Sequence, residues 1–286
     1  MSGNAVVSTD AVNLPVEIED ILSSYEGAGA DFERNEVRMP QLKKLQKNSN
    51  YCDEASEDYI DGATPGCLYY TDTGDISDRM FVIPIVHATV ITAIRDYDKG
   101  GGIEGVYRPG AQPTGDQVVQ MEGEPYYRLA EDPEVALKES MQYIVLVVNG
   151  NKEVLGEAIM RFSSTDLKFA RTWNTRIKAR RLKGKRAPAF FFAYPVQTIK
   201  TQFTMRNGKK TTIFNWDIKH SEAEFVGSWD GGVDLLRTLA AQHDEADLGF
   251  FYREATQRAA DDDDGSVGGS AEASNESTKE KESLPF

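Results

Sequence analysis

Nine Lys and Arg side chains fall between Lys168 and Arg186 of this 286-residue chain, and the stretch Leu167–Arg186 contains no acid. Like charges at this density repel one another, and a polyanion offsets that repulsion. Lys168, Arg171, Arg176, Lys178, Arg180, Arg181, Lys183, Lys185 and Arg186 are therefore candidate contacts to a phosphate backbone. Rings follow the charge. Strand alternation puts Phe190, Phe192 and Tyr194 on one face of an element and Phe214 and Trp216 on one face of its partner, with Arg206, Lys209 and Lys210 at the turn between them. Single-stranded nucleic acid needs a cationic groove for its phosphates and flat rings for its unstacked bases, each stacked base contributing roughly 1–3 kcal/mol. Rings at period two are also the usual way to build a core, so each of these rings competes with a packing role, and Trp173 reads as core.

The elements that must carry these groups are readable. In SSTDLKFARTWNTRIKARRL, Leu167, Ala170, Trp173 and Ile177 recur at helical spacing, with Ser163 or Ser164 as cap, Asp166 in the first turn, and Lys183-Gly184-Lys185 and Pro188 as the stop. MFVIPIVHATVITAIRDY reads as one long curved strand with Pro84 at a bulge or edge. MQYIVLVVNGNKEVLGEAIMRF is two strands joined at Asn149-Gly150-Asn151, and APAFFFAYPVQTIKTQFTM with KKTTIFNWDIKH is a second hairpin turning at Arg206-Asn207-Gly208-Lys209. Residues 231–260 are helical with an interruption near Gly249, and there is no internal repeat.

Three strands, a helix and two more strands give a mainly β (α+β) fold: a five-stranded OB-fold-like antiparallel barrel with a helix between strands 3 and 4 and a C-terminal helical segment. The chain divides into a flexible acidic arm (1–35), a nucleic-acid-binding domain with an N-terminal extension (36–230), the helical segment (231–260) and an unfolded acidic tail (261–286). Within the extension, turn signals at Asp61-Gly62, Pro65-Gly66 and Thr73-Gly74 predict a segment lying across the main domain.

The net charge of −14 conceals a strong asymmetry. Residues 151–220 hold sixteen bases and four acids, residues 1–75 fifteen acids and five bases, and the tail from Asp261 eight acids and two bases. Other chemistries find little support. Cys52 and Cys67 lack the close ligand pairing of zinc sites and read as reduced thiols. The loop DKGGGIEGVYRPG lacks the Gly-Lys-Ser/Thr ending of a P-loop and reads as a hairpin tip. His87, His220 and His243 belong to no triad, HExxH motif or carboxylate set, so the expectation is a protein that is not an enzyme, with no metal or cofactor. No apolar run approaches a membrane span and the N-terminus lacks signal-peptide features, which predicts a cytoplasmic protein without a membrane partner.

The tail opens with Asp261, Asp262, Asp263 and Asp264, continues in Gly, Ser, Asn, Glu and Lys, and ends in Leu284-Pro285-Phe286 behind Glu280 and Glu282. It cannot bury enough apolar surface to fold, so it reads as a tether with an apolar tip that enters a partner's pocket while its carboxylates meet a basic rim. This ending resembles that of bacterial and phage single-stranded DNA-binding proteins, and with the basic middle the whole chain resembles the tailed-phage type. The resemblance implies an OB-fold core and largely sequence-independent protection of single-stranded DNA in replication, recombination and repair, in the host cytoplasm. It also implies recruitment of polymerase, helicase or nuclease through the tail, and a possible homo-oligomer. The chain departs from the bacterial members in length, in its large acidic N-terminal region and in having fewer acids immediately before Phe286. A virion structural protein and an annealing or recombination protein are the alternatives.

Overall fold

The computed structural model describes residues 39–253 except 97–98, 125, 205–209 and 247, with backbone alone at 203–204. The N-terminal extension supplies β1 (Gln41–Lys44), β2 (Leu68–Tyr70) and β3 (Ile76–Ser77). The long strand β4 (Arg79–Arg95) leads through β5 (Ile103–Tyr107), β6 (Val118–Val119) and β7 (Tyr127–Leu129) to the hairpin β8 (Val135–Val148) and β9 (Val154–Ser163). Helix α1 (Leu167–Ala179) follows, then a small ribbon of β10 (Arg181–Leu182) and β11 (Lys185–Arg186). The hairpin β12 (Phe192–Thr204) and β13 (Lys210–Ile218), short β14 (Glu224–Phe225) and α2 (Gly232–Glu245) complete the order.

The expectation of a mainly β fold holds, in a larger sheet than five strands. The five long strands pair antiparallel in the order β13-β12-β4-β8-β9, and seven short strands extend them to a curled sheet of twelve. Pro84 sits where expected: the β4–β8 register shifts between Pro84 and Val86, so the residue without an N–H falls at a bulge.

Curling creates an inside and an outside. Inward-facing Val82, Tyr143, Met160, Phe162, Tyr194 and Trp216 form one core, closed at one end by Ala170 and Trp173 of α1. On the outer face, Ile83, Ile144, Leu146 and Ile159 pack against Leu239 of α2 and against Phe250 and Phe251 beyond it. The helix starts later than its sequence signals suggest. Residues 164–166 form a 3-10 turn, neither Ser163 nor Ser164 caps α1, and Asp166 stands at the N-cap without bonding the helix.

Asp166 is turned to another task. Its carboxylate pairs with Lys44 Nζ at 2.8 Å and accepts the Trp216 N–H at 3.2 Å. β9 and β13 have no ladder between them among the described residues, and the extension bridges that gap. β1 lies parallel to β9, pairing Leu42 with Met160. Lys44 and the Gln46 amide both donate to the Phe214 carbonyl at 2.8 Å, while Gln46 Oε1 accepts the Phe214 N–H at 3.0 Å. Trp216 Nε1 crosses to the Arg161 carbonyl at 2.9 Å. Gly66 presses on the Phe214 ring so closely that a Cβ there would meet it at 2.7 Å. Residues 39–77 are thus a structural part of the wall rather than an overlay.

Asp166→Ala leaves Lys44 without its carboxylate and the Trp216 N–H without an acceptor. It should lower the unfolding free energy by about 3 kcal/mol, the range for breaking a buried pair. Urea denaturation checks this, and a loss below about 1 kcal/mol contradicts the assigned role.

Candidate functional site

Helix α1 rests on its apolar stripe: Ala170 and Trp173 are fully buried, and Leu167 and Ile177 are partly so. Its cations divide between two flanks, because residues seven apart, like those four apart, return to one face. Arg171 and Lys178 face the β4–β8 side. Arg171 reaches Glu139 of β8 at 3.3 Å, an exposed pair of small energetic worth. Partial burial and the nearby Lys178 ammonium lower the pKa of His87, whose ring stacks on Tyr143 at 5.4 Å. Arg176 and Arg180 face the end of β13, and Lys168 lies on the outer surface with its ammonium 4.9 Å from the Phe169 ring.

The chain then makes a ribbon that the sequence reading took only for a helix stop. Arg181 pairs with Arg186 and Leu182 with Lys185, while Lys183 and Gly184 turn the chain with φ of 49° and 79°. A two-residue loop with both residues left-handed is the favoured tight turn of a hairpin. The pattern Lys183-Gly184 between short flanks was the available signal. The ribbon holds Arg181, Lys183, Lys185 and Arg186 exposed together. Among the described residues, these four and Lys168, Arg176 and Lys178 have no carboxylate at ion-pair distance.

Arg180 is different. Its guanidinium lies 4.9 Å from the Phe192 ring and 6.0 Å from Tyr194, and it donates to the His220 carbonyl. Beside it a cleft of about 510 Å³ is lined by Arg176, Ala179, Arg180, Ile218, Lys219, His220 and Ser221. The sequence placed His220 in no catalytic set and did not single out Lys219 or Ser221; the Lys-His-Ser step at the end of a strand was the cue to this cleft.

The rings take other places than expected. Phe190 does not share a face with Phe192 and Tyr194: it precedes β12 in a 3-10 turn and joins the outer core, while the other two face inward. Phe192, Tyr194 and Trp216 are 6%, 0% and 1% exposed, so none offers a face to a base. Phe214 shares the face of Trp216 and lies under Gly66. The curl of the sheet turns Phe192, Tyr194 and Trp216 inside, where they pack as core; Phe190 packs in the outer core and Phe214 is half-buried. Lys210 is exposed at the start of β13. Arg206 and Lys209, the N-terminal arm, and the tail residues Asp261–Asp264, Glu280, Glu282 and Leu284–Phe286 lie outside the described residues.

Among the described residues no cluster of His, Cys, Asp and Glu could hold a metal ion, and no helix is long and apolar enough to cross a membrane. Cys67 is buried, and the Cys52 thiol is pushed up in pKa by burial and by Cys67 beside it, which disfavours the nucleophilic thiolate.

A family model described as Pam3 phage gp34-like protein matches residues 15–228, a span that includes all five long strands, α1 and the basic ribbon. The chain belongs to the Pam3 phage gp34-like protein family. The matched span ends at Ser228, before α2. No curated protein and no solved structure matches the chain.

If the rings are core, their loss is a stability defect. Phe192→Ala should cost about 3–5 kcal/mol, the range for removing a buried aromatic ring. Thermal or urea unfolding measures it, and a variant as stable as the parent would return Phe192 to the list of available rings.

Proposed function

We propose that this phage protein binds single-stranded DNA with little sequence preference and protects it during replication, recombination or repair. The observation that carries the reading is the run of seven exposed cations with no carboxylate partner among the described residues, on the outer surface of α1 and on the ribbon that follows it. Lys168, Arg176, Lys178, Arg181, Lys183, Lys185 and Arg186 would track the phosphates, with Lys210 and the neighbouring turn extending the path.

The arrangement of the five long strands supports an OB-fold core. Their pairing order is 5-4-1-2-3 with the helix after the third, as in a partly open OB barrel. The outer face of strands 2 and 3, which binds oligonucleotides in many such barrels, is covered here by α2, and this favours the α1 and ribbon surface instead. With Phe192, Tyr194 and Trp216 packed inside, phosphate contacts would supply most of the affinity. The acidic tail would act as a recruiting arm for polymerase, helicase or nuclease, its Leu284-Pro285-Phe286 tip entering a partner's pocket. The reading involves no catalysis, cofactor or membrane, places the protein in the host cytoplasm, and leaves room for a homo-oligomer.

A second reading, a virion structural protein, is favoured by one feature. Val119, Met121 and Tyr127 are 40%, 46% and 53% exposed around the β6–β7 pair, an apolar surface suited to assembly.

Fluorescence anisotropy of labelled oligo-dT against salt separates the two. Single-strand binding loses affinity with a log–log slope of about −0.7 per phosphate neutralised. The triple variant Arg181→Glu, Lys183→Glu, Lys185→Glu should weaken binding at least about tenfold and flatten the slope by about 2. No binding by the intact chain at low salt contradicts the proposal and favours the assembly reading.

A further inference from the structure

The cleft beside Arg180 has features that the exposed cationic run lacks. It is a shallow cleft of about 510 Å³, open to solvent, and its lining is chemically divided. Ala179 and Ile218 give it an apolar part. Arg176, Arg180, Lys219 and His220 give it a cationic part, and Ser221 adds a hydroxyl. Arg180 is held in place by its bond to the His220 carbonyl and its contact with Phe192, so its guanidinium is fixed before any ligand arrives. Arg176, four residues earlier on the same flank, has no carboxylate partner among the described residues. Lys219 is engaged by Asp217 at 2.7 Å, which leaves the two arginines as the principal unneutralised charges.

We propose that this cleft is a nucleotide subsite, with a phosphate held between Arg176 and Arg180 beside His220 and the attached sugar or base lying against Ala179 and Ile218. A planar guanidinium matches a phosphate with paired hydrogen bonds, and two of them, one on the last turn of α1 and one on the residue just past its end, can grip it from one side. The subsite deepens the single-strand reading and rests on it for its natural ligand, the phosphodiester of a bound strand. Its chemistry equally admits a free nucleotide.

The charge around His220 gives the subsite a signature. Burial, then Arg176 and Arg180, lower the pKa of His220, and Asp217 opposes them. Lys219 is adjacent, and Glu222 in the same 3-10 turn is occupied by Arg79. A bound phosphate adds negative charge beside the imidazole and raises its pKa again. Occupancy therefore favours protonated His220, and affinity falls as pH rises through the imidazole pKa of the complex.

The test follows the His220 ring resonances of the intact chain by NMR across the neutral pH range, with thymidine, thymidine 5′-monophosphate or oligo-dT added. The subsite predicts saturable shifts and an upward move of the His220 pKa with the monophosphate and with oligo-dT, and neither with thymidine. Arg176→Gln, a change at an exposed position, should weaken the monophosphate response about tenfold. His220 unmoved by both phosphate-bearing probes, or moved equally by thymidine, overturns the subsite. Oligo-dT that binds by anisotropy while neither phosphate-bearing probe moves His220 removes the subsite and leaves the single-strand reading intact. Monophosphate binding without oligo-dT binding keeps the subsite and removes that reading.

Discussion

One buried carboxylate holds the architecture together. Asp166 sits where β9 has ended and α1 has not begun, and its two oxygens reach Lys44 of β1 and the Trp216 amide of β13. A charge at that depth is tolerable only with a cation and a donor in place, so the N-terminal extension cannot leave without stranding it. The same junction sets the start of α1, and from the start of α1 follow the positions of Trp173 in the core and of every cation on the helix surface.

The consequence is a division of labour that runs through the fold. The curl of the sheet takes the inner faces of β4, β8, β9, β12 and β13 out of water, and the aromatic residues there become structure. Helix α2 and the residues after it do the same for the outer face. With both faces covered, a dense run of exposed cations without carboxylate partners among the described residues remains on α1 and on the ribbon of β10 and β11. Recognition that rests on such groups reads charge and spacing and is steeply sensitive to salt. The cleft at the end of β13, part apolar and part cationic, adds shape to charge.

Much of this was legible in the residues. The long strands, the bulge at Pro84, the Asn-Gly turn and the α1 stripe all follow from local patterns of period two, period 3.6 and turn chemistry, which act within a few residues of one another. What was not legible depends on contacts distant in sequence. Alternation places Phe192 and Tyr194 on a common face and is silent on whether that face is inside or outside, since only the curl of the sheet decides. Phe190 escaped the alternation because the strand begins after it. Ser163 and Ser164 carry good capping chemistry, yet the pull of Lys44 and Trp216 on Asp166 shifts the helix start, an outcome set by partners more than forty residues away on either side. The role of residues 39–77 was hidden for the same reason: Gln46 and Gly66 have meaning only beside Phe214.

The most direct measurement is a lysine-reactivity footprint of the intact protein, read by mass spectrometry with and without saturating oligo-dT. The account predicts protection of Lys168, Lys178, Lys183 and Lys185 and unchanged labelling of Lys99 and Lys152, which are paired with Glu134 and Glu224 away from α1. Equal labelling of the α1 and ribbon lysines in both states, or protection confined to other surfaces, would contradict it.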